Sequence, residues 1–196
     1  GIDDRDSYEE LHDFVQQIRD AGTQVLVVHA RKAILQGLSP KENRDIPPLV
    51  YSTVYRLKED FPELPIVING GIATLEQCKE HLSRVDGVML GRAPYQNPWL
   101  LSEVDAGLFD ATDSASASRE ATIEAMLPYI TEQLSKGARL HHVTRHMLGL
   151  YQGQYGGRQY RRHLSEQSHK TESGADTLLE AMAFCSAPPE RAVVSG

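Results

Sequence analysis

The chain has 196 residues, 40% of them hydrophobic, and carries 20 Lys+Arg against 27 Asp+Glu, a formal net charge of -7. This composition fits a soluble globular protein of one or two domains, and no apolar run approaches the roughly 20 residues needed to span a membrane. Two cysteines, Cys78 and Cys185, make no disulfide framework and lack metal-ligand spacing, so a reducing, cytoplasmic setting without membrane or metal is expected.

The start, GIDDRDSYEE, is acidic and polar and does not read as a signal peptide. Residues 6–21 predict a helix: Leu11, Phe14, Val15 and Ile18 share one face, Asp6 or Ser7 can cap it, and Gly22 follows its end. The run QVLVVHA is continuous and β-branched, the pattern of a strand buried on both faces. Gly37, Pro40, Pro47 and Pro48 mark residues 31–49 as a long loop. Then YSTVYRLKEDF predicts a helix, PIVIN a strand, TLEQCKEHLSR a helix, GVMLG a strand and NPWLLSEVDAGLF a helix. Alternating helix and strand means a parallel sheet of βα units.

Residues 110–118, DATDSASAS, read as a linker. Residues 119–185 predict a small helical domain, with breaks near Gly137 and Gly153, and residues 186–196 a disordered tail. The charge divides along the same line. Residues 1–118 carry 11 Lys+Arg and 19 Asp+Glu, whereas residues 119–170 carry 8 and 4, with five histidines besides. An acidic body with a basic segment suits an enzyme with a separate polyanion-docking face; a solvated helical surface would show the same pattern.

Two of the strands end alike. Ile66-Val67-Ile68 stops at Asn69-Gly70-Gly71, and Val88-Met89-Leu90 stops at Gly91-Arg92. In barrels of βα units the active site lies at the carboxy-terminal strand ends, and a phosphate site is often built by the loops after the last two strands. Glycine lets the backbone approach a ligand, helix amino termini near Thr74 and Pro98 attract an anion, and Arg92 adds a charge-assisted bond. His29 ends the preceding strand at the same rim. Ordinary αβ turns and a structural histidine are the competing explanation for each motif alone. The pair His142 and His146, at i and i+4, has metal-like spacing, but no Glu-x-x-His pattern accompanies it, and a basic RNA-facing or core helix explains it better. Tyr151, Tyr155 and Tyr160 could stack on bases or pack the bundle.

The stretches VVHARKAILQGLSPKENRDIPPL, INGGI, MLGRAPYQNP, HHVTRHMLGLYQG and GRQYRRHLSE closely resemble the tRNA-dihydrouridine synthases, specifically their A subfamily, over nearly the whole chain apart from the tail. The resemblance implies the carboxy-terminal portion of a TIM (β/α)8 barrel, about three βα units over residues 1–109, followed by a helical tRNA-binding domain. It implies FMN as cofactor and NADPH as reductant. By the same resemblance a hydride would pass from the flavin to C6 of a D-loop uridine, at positions 20 and 20a, and a cysteine would protonate C5. By position, His29, Asn69, Gly70, Gly71, Gly91 and Arg92 would contact FMN. Lys41, Arg44, Arg158 and Arg161 would contact tRNA. Arg158 and Arg161, three apart on a helix, can bridge neighbouring phosphates in a salt-sensitive way. Lys41 and Arg44 sit beside Glu42 and Asp45, and a local ion-pair cluster is their competing reading.

A complete barrel needs eight strands and about 250 residues. Three strands are legible here, and they match the last three. The family's amino-terminal motifs, its flavin-facing lysine and its catalytic cysteine have no counterpart, and are expected upstream of Gly1. Cys78 lies within a helix and does not substitute. The chain alone is therefore expected to be inactive and prone to association through an open parallel edge. Two other functions remain open: a flavin-free barrel enzyme acting on a small phosphorylated metabolite, and a non-catalytic RNA-binding fragment.

Overall fold

The computed structural model describes residues 1–109 and 118–186. Most of the predicted linker and all but Ser186 of the predicted tail lie outside the described residues. The chain forms two compact units, one of Gly1–Ala93 and one from Pro94 onward.

The first unit is mixed α/β. Helix α1, Tyr8–Asp20, starts where the Ser7 side chain accepts from the Glu10 backbone N–H, so Ser7 rather than Asp6 is its cap. Gly22, at φ +101°, turns the chain out of it. Strand β1, Leu26–His29, follows, then the long loop with a 3-10 turn at Glu42–Arg44. Helix α2, Tyr51–Asp60, leads to β2, Ile66–Asn69. Helix α3, Leu75–Leu82, opens on a capping box in which Thr74 and Gln77 each satisfy the other's backbone N–H. Strand β3, Gly87–Met89, completes a three-stranded parallel sheet of order β1-β2-β3. Its register aligns His29 with Asn69 and Asn69 with Met89.

The sheet has two unlike faces. Ile66 and Ile68 are fully buried and belong to a core with Val15, Val54, Leu57, Leu75 and Cys78 of the three helices. The alternate positions Val25, Val27 and Met89 are exposed, at 54%, 53% and 48%. The sequence reading of β1 as buried on both faces is therefore corrected. The continuous apolar run fits a sheet covered twice, but among the described residues only the helical side is covered.

The second unit begins with α4, Arg92–Gln96, which straddles the boundary, then a 3-10 stretch at Pro98–Glu103 and α5, Val104–Leu108. The single helix predicted over residues 97–109 is thus broken in two, and the first helix after β3 begins at Arg92 rather than near Pro98. Trp99 packs on the core of the second unit, and the Arg119 guanidinium lies 4.4 Å above its ring. Gly149 lets the backbone at Gln96 come so close that a Cβ would stand 2.0 Å from its carbonyl oxygen. Residues 94–109, assigned from sequence to the barrel portion, group with this unit. Helices α6 (Arg119–Ser135), α7 (Leu140–Thr144), α8 (Gly157–Gln167) and α9 (Asp176–Ala183) surround a core that includes Ile123, Ile130, Leu140, Tyr160, Leu164 and Leu178. Gly137 and Gly153 take positive φ at the predicted breaks. No helix of the described residues is long and apolar enough to cross a membrane.

Candidate functional site

Parallel pairing puts His29 and Asn69 side by side at the carboxy-terminal end of the sheet. The Asn69 amide N–H donates to the Met89 carbonyl at 2.7 Å, tying β2 to β3. That contact fixes which end of the amide faces which neighbour, because a carbonyl accepts only from the nitrogen. The Asn69 Oδ1 then faces His29 Nδ1 at 2.6 Å, so Nδ1 carries the proton. In the neutral ring, Nε2 is left as the acceptor, and His29 can receive a hydroxyl or N–H from a ligand.

Gly70 and Gly71 follow with φ +126° and +69°, conformations that side chains oppose. Added Cβ atoms would stand 2.8 and 2.6 Å from Leu49 side-chain atoms, so these glycines first of all seat the long loop against the strand end. The Tyr51 hydroxyl donates to the Gly70 carbonyl at 2.8 Å and holds the turn, and burial raises the Tyr51 phenol. Gly91 differs, since a Cβ there would meet nothing within 4 Å and the approach to it is open. Arg92 opens a helix of five residues, too short to provide a strong helix dipole. Its contribution is its guanidinium, which donates to Asp45 Oδ1 at 2.8 Å and lies 3.5 Å from the Arg44 carbonyl. The Asp45 carboxyl is held below the usual range by this hydrogen bond. The structure thus brings His29, Asn69, Gly70, Gly71 and Arg92 into one unit, with the long loop folded onto it.

The loop is held by contacts absent from the sequence reading. Arg31 Nη1 donates to the carbonyls of Asp45, at 3.2 Å, and of Pro47. Its Nε is buried without a partner. The Asn43 side chain accepts from the Ile34 N–H and donates to the Ile34 carbonyl, both at 2.7 Å. Glu42 accepts from the Ser39 hydroxyl and backbone N–H. Lys41 and Arg44 are exposed. The acids beside them are engaged by Ser39 and by Arg92, so the local ion-pair cluster does not form. A cavity of about 490 Å³ opens beside His29 between α1 and α2, lined in part by Asp6, Tyr8, Arg31 and Lys32 and not by Arg92.

In the second unit, Arg158 and Arg161 are exposed on α8, and Arg161 donates to the Gln152 side chain. Tyr151 and Tyr160 are buried at 3% and 0%, so they pack the bundle, and Tyr155 is exposed. Cys78 is buried in α3, and burial raises its thiol. Burial pushes the Cys185 thiol up to about 11. Arg31, Asn43, Asp45 and Tyr51 were missed from sequence. The run from Asn43 to Asp45, between two proline-marked turns, was the signal that the loop is built rather than loose.

The dihydrouridine synthase family model matches residues 1–186. The chain is 56% identical to the tRNA-dihydrouridine(20/20a) synthase of Pasteurella multocida (strain Pm70) over 184 residues, 94% of this chain and 56% of that protein. It is 54% identical to the synthase of the same name from Yersinia pestis, over 95% of this chain and 54% of the relative. It is 57% identical to that of Pseudomonas syringae pv. tomato, over 94% and 54%. The chain spans about half the length of these curated relatives. The resemblance seen in the motifs extends over the matched residues, and the chain belongs to the dihydrouridine synthase family.

Proposed function

We propose that this chain is the carboxy-terminal portion of an FMN-dependent tRNA-dihydrouridine synthase that reduces D-loop uridines at positions 20 and 20a with NADPH. In this reading residues 1–109 carry the last three βα units of a (β/α)8 barrel, with residues 94–109 grouped with the helical unit, and residues 119–185 are a tRNA-binding domain. The observation that supports it most is the set of donors and acceptors at the carboxy-terminal strand ends, in a chain whose relatives are named tRNA-dihydrouridine(20/20a) synthases.

The donor set fits the cofactor. Arg92 offers a cation to a phosphate monoester, and Gly91 leaves the approach to it open. His29 Nε2, fixed as an acceptor through Asn69, can take a hydroxyl or N–H of the same ligand. FMN bound there would supply the two-electron hydride chemistry that reduction of a pyrimidine requires. The chain's own residues bind and orient. Asn69 sets the tautomer of His29, and Tyr51 and Arg31 hold the turn and the loop around the site. Lys41, Arg44, Arg158 and Arg161 are the proposed tRNA phosphate contacts, which give salt-sensitive affinity and no base specificity. A uridine would have to leave the tRNA fold to reach the flavin. Neither cysteine suits the protonation step, since both thiols are raised and Cys78 is buried in a helix.

The test is a chimera in which the part of the Pasteurella multocida synthase that this chain does not match is joined to this chain. Bound FMN in the purified chimera, with NADPH-dependent dihydrouridine in unmodified tRNA, supports the reading. A chimera that folds, stays colourless with added FMN and leaves tRNA unchanged refutes it.

A further inference from the structure

We propose that His141, His142 and His169 form a proton-linked docking point for the phosphodiester backbone of RNA. The proposal rests on the tRNA-binding reading and extends it to a group of residues distinct from Arg158 and Arg161.

The three imidazoles are in contact. The His141 and His169 rings stack with centroids 4.4 Å apart and planes 27° from parallel. His142 meets His141 edge-on at 4.2 Å. His142 and His169 are exposed, and His141 between them is half-buried with its Nδ1 enclosed and without a hydrogen-bond partner. The charges acting most strongly on His141 are all of one sign: His142, Arg139 and Arg145 from its own segment and His169 from the turn after α8. Burial first, and then these charges, lower its affinity for a proton. Lys170 adjoins His169. Arg145 Nε donates to His146 Nε2, which engages that ring as an acceptor, and the Tyr95 ring lies 5.6 Å from it.

A fold that gathers imidazoles and guanidinium groups on one another gains nothing from their mutual repulsion. An external anion reverses the sign. A nearby phosphate favours the imidazolium form, and each imidazolium presents two N–H donors. A phosphodiester chain repeats its charge at short intervals, so it can serve the histidines and Arg139 or Arg145 together, which a single carboxylate cannot. Binding then takes up protons, and by linkage affinity rises as pH falls.

The experiment measures binding of unmodified tRNA to the full chain by fluorescence anisotropy at about pH 8 and about pH 6. It compares wild type with His142→Gln/His169→Gln. Both positions are exposed, and thermal midpoints at both pH values check the fold. Wild type should bind more tightly at the lower pH, and the double variant should lose about fivefold of that gain while keeping its affinity at the higher pH. Arg158→Glu/Arg161→Glu should weaken binding equally at both. An unchanged pH ratio in the histidine variant, with binding intact, overturns the docking point and leaves the tRNA reading standing. No RNA binding by wild type at either pH overturns both. Equal binding of polyglutamate and tRNA at equal charge overturns the assignment to RNA.

Discussion

The Arg92 guanidinium donates to Asp45 Oδ1 at 2.8 Å, joining the end of β3 to the long loop across 47 residues of sequence. Both side chains are about half exposed, so the pair adds little to stability. Its effect falls on the charge at Arg92. A carboxylate held against the guanidinium competes with any phosphate for the same cation. Asp45→Asn should therefore tighten FMN binding by up to about fivefold, the scale of an exposed charge pair. Riboflavin, which lacks the phosphate, should be unaffected. Titration of flavin fluorescence separates the two ligands. An equal change for both would mean that Asp45 acts on the fold of the loop and not on Arg92.

Gly70 sits at φ +126°, outside the left-handed well that asparagine tolerates. Gly70→Ala should cost about 2 kcal/mol from backbone strain. The clash of its Cβ with Leu49 is with the end of a flexible side chain and should relieve itself. Leu49→Ala in the same chain should therefore not restore stability. Urea midpoints of the two single variants and the double decide the matter; full rescue would show that the glycine is needed for space alone.

How much of this was readable in advance differs by element. The three strands were legible because each is a short apolar run between breakers, and parallel pairing then followed from the intervening helices. The start of α3 near Thr74 was legible, and the structure adds that it is a Thr-x-x-Gln capping box. The rim residues His29, Asn69 and Arg92 were legible because each ends or follows a strand. Asp45 was not, because nothing in a loop sequence states that a carboxylate 47 residues earlier will meet Arg92. Nor was the helix start at Arg92, since Pro98 outweighed the weaker helical pattern before it. Trp99 was read with the preceding strands by proximity, but its ring finds its apolar partners in the second unit.

Asn69 spends its amide on two neighbours, so its role toward His29 is to orient it. Asn69→Ala should leave the His29 ring free to exchange tautomers. Nitrogen-15 spectra of the neutral ring should change from a protonated Nδ1 to a mixture. FMN affinity should fall about fivefold, the worth of one hydrogen bond of ~1 kcal/mol. A ring that keeps its Nδ1 proton in the variant would show that something other than Asn69 sets the tautomer.

The Tyr151 hydroxyl donates to Glu120 Oε1 at 2.7 Å, linking the first turn of α6 to the bundle core. That bond is the first cause that holds the Glu120 carboxyl below its usual value, and burial followed by Glu120 itself raises the phenol. A depressed carboxylate contributes stability above its unfolded pKa, near about 4.3, and that contribution is lost as pH falls through the folded value. Tyr151→Phe keeps the packing of the ring and removes the donor. The Glu120 titration followed by NMR should move up toward the ordinary carboxylate range. Stability near neutrality should drop by about 1 kcal/mol, and the acid limb of the stability curve should become shallower because less remains to be lost. A Glu120 titration that stays where it was would assign the shift to the α6 amino-terminal backbone and the Ser118 cap instead.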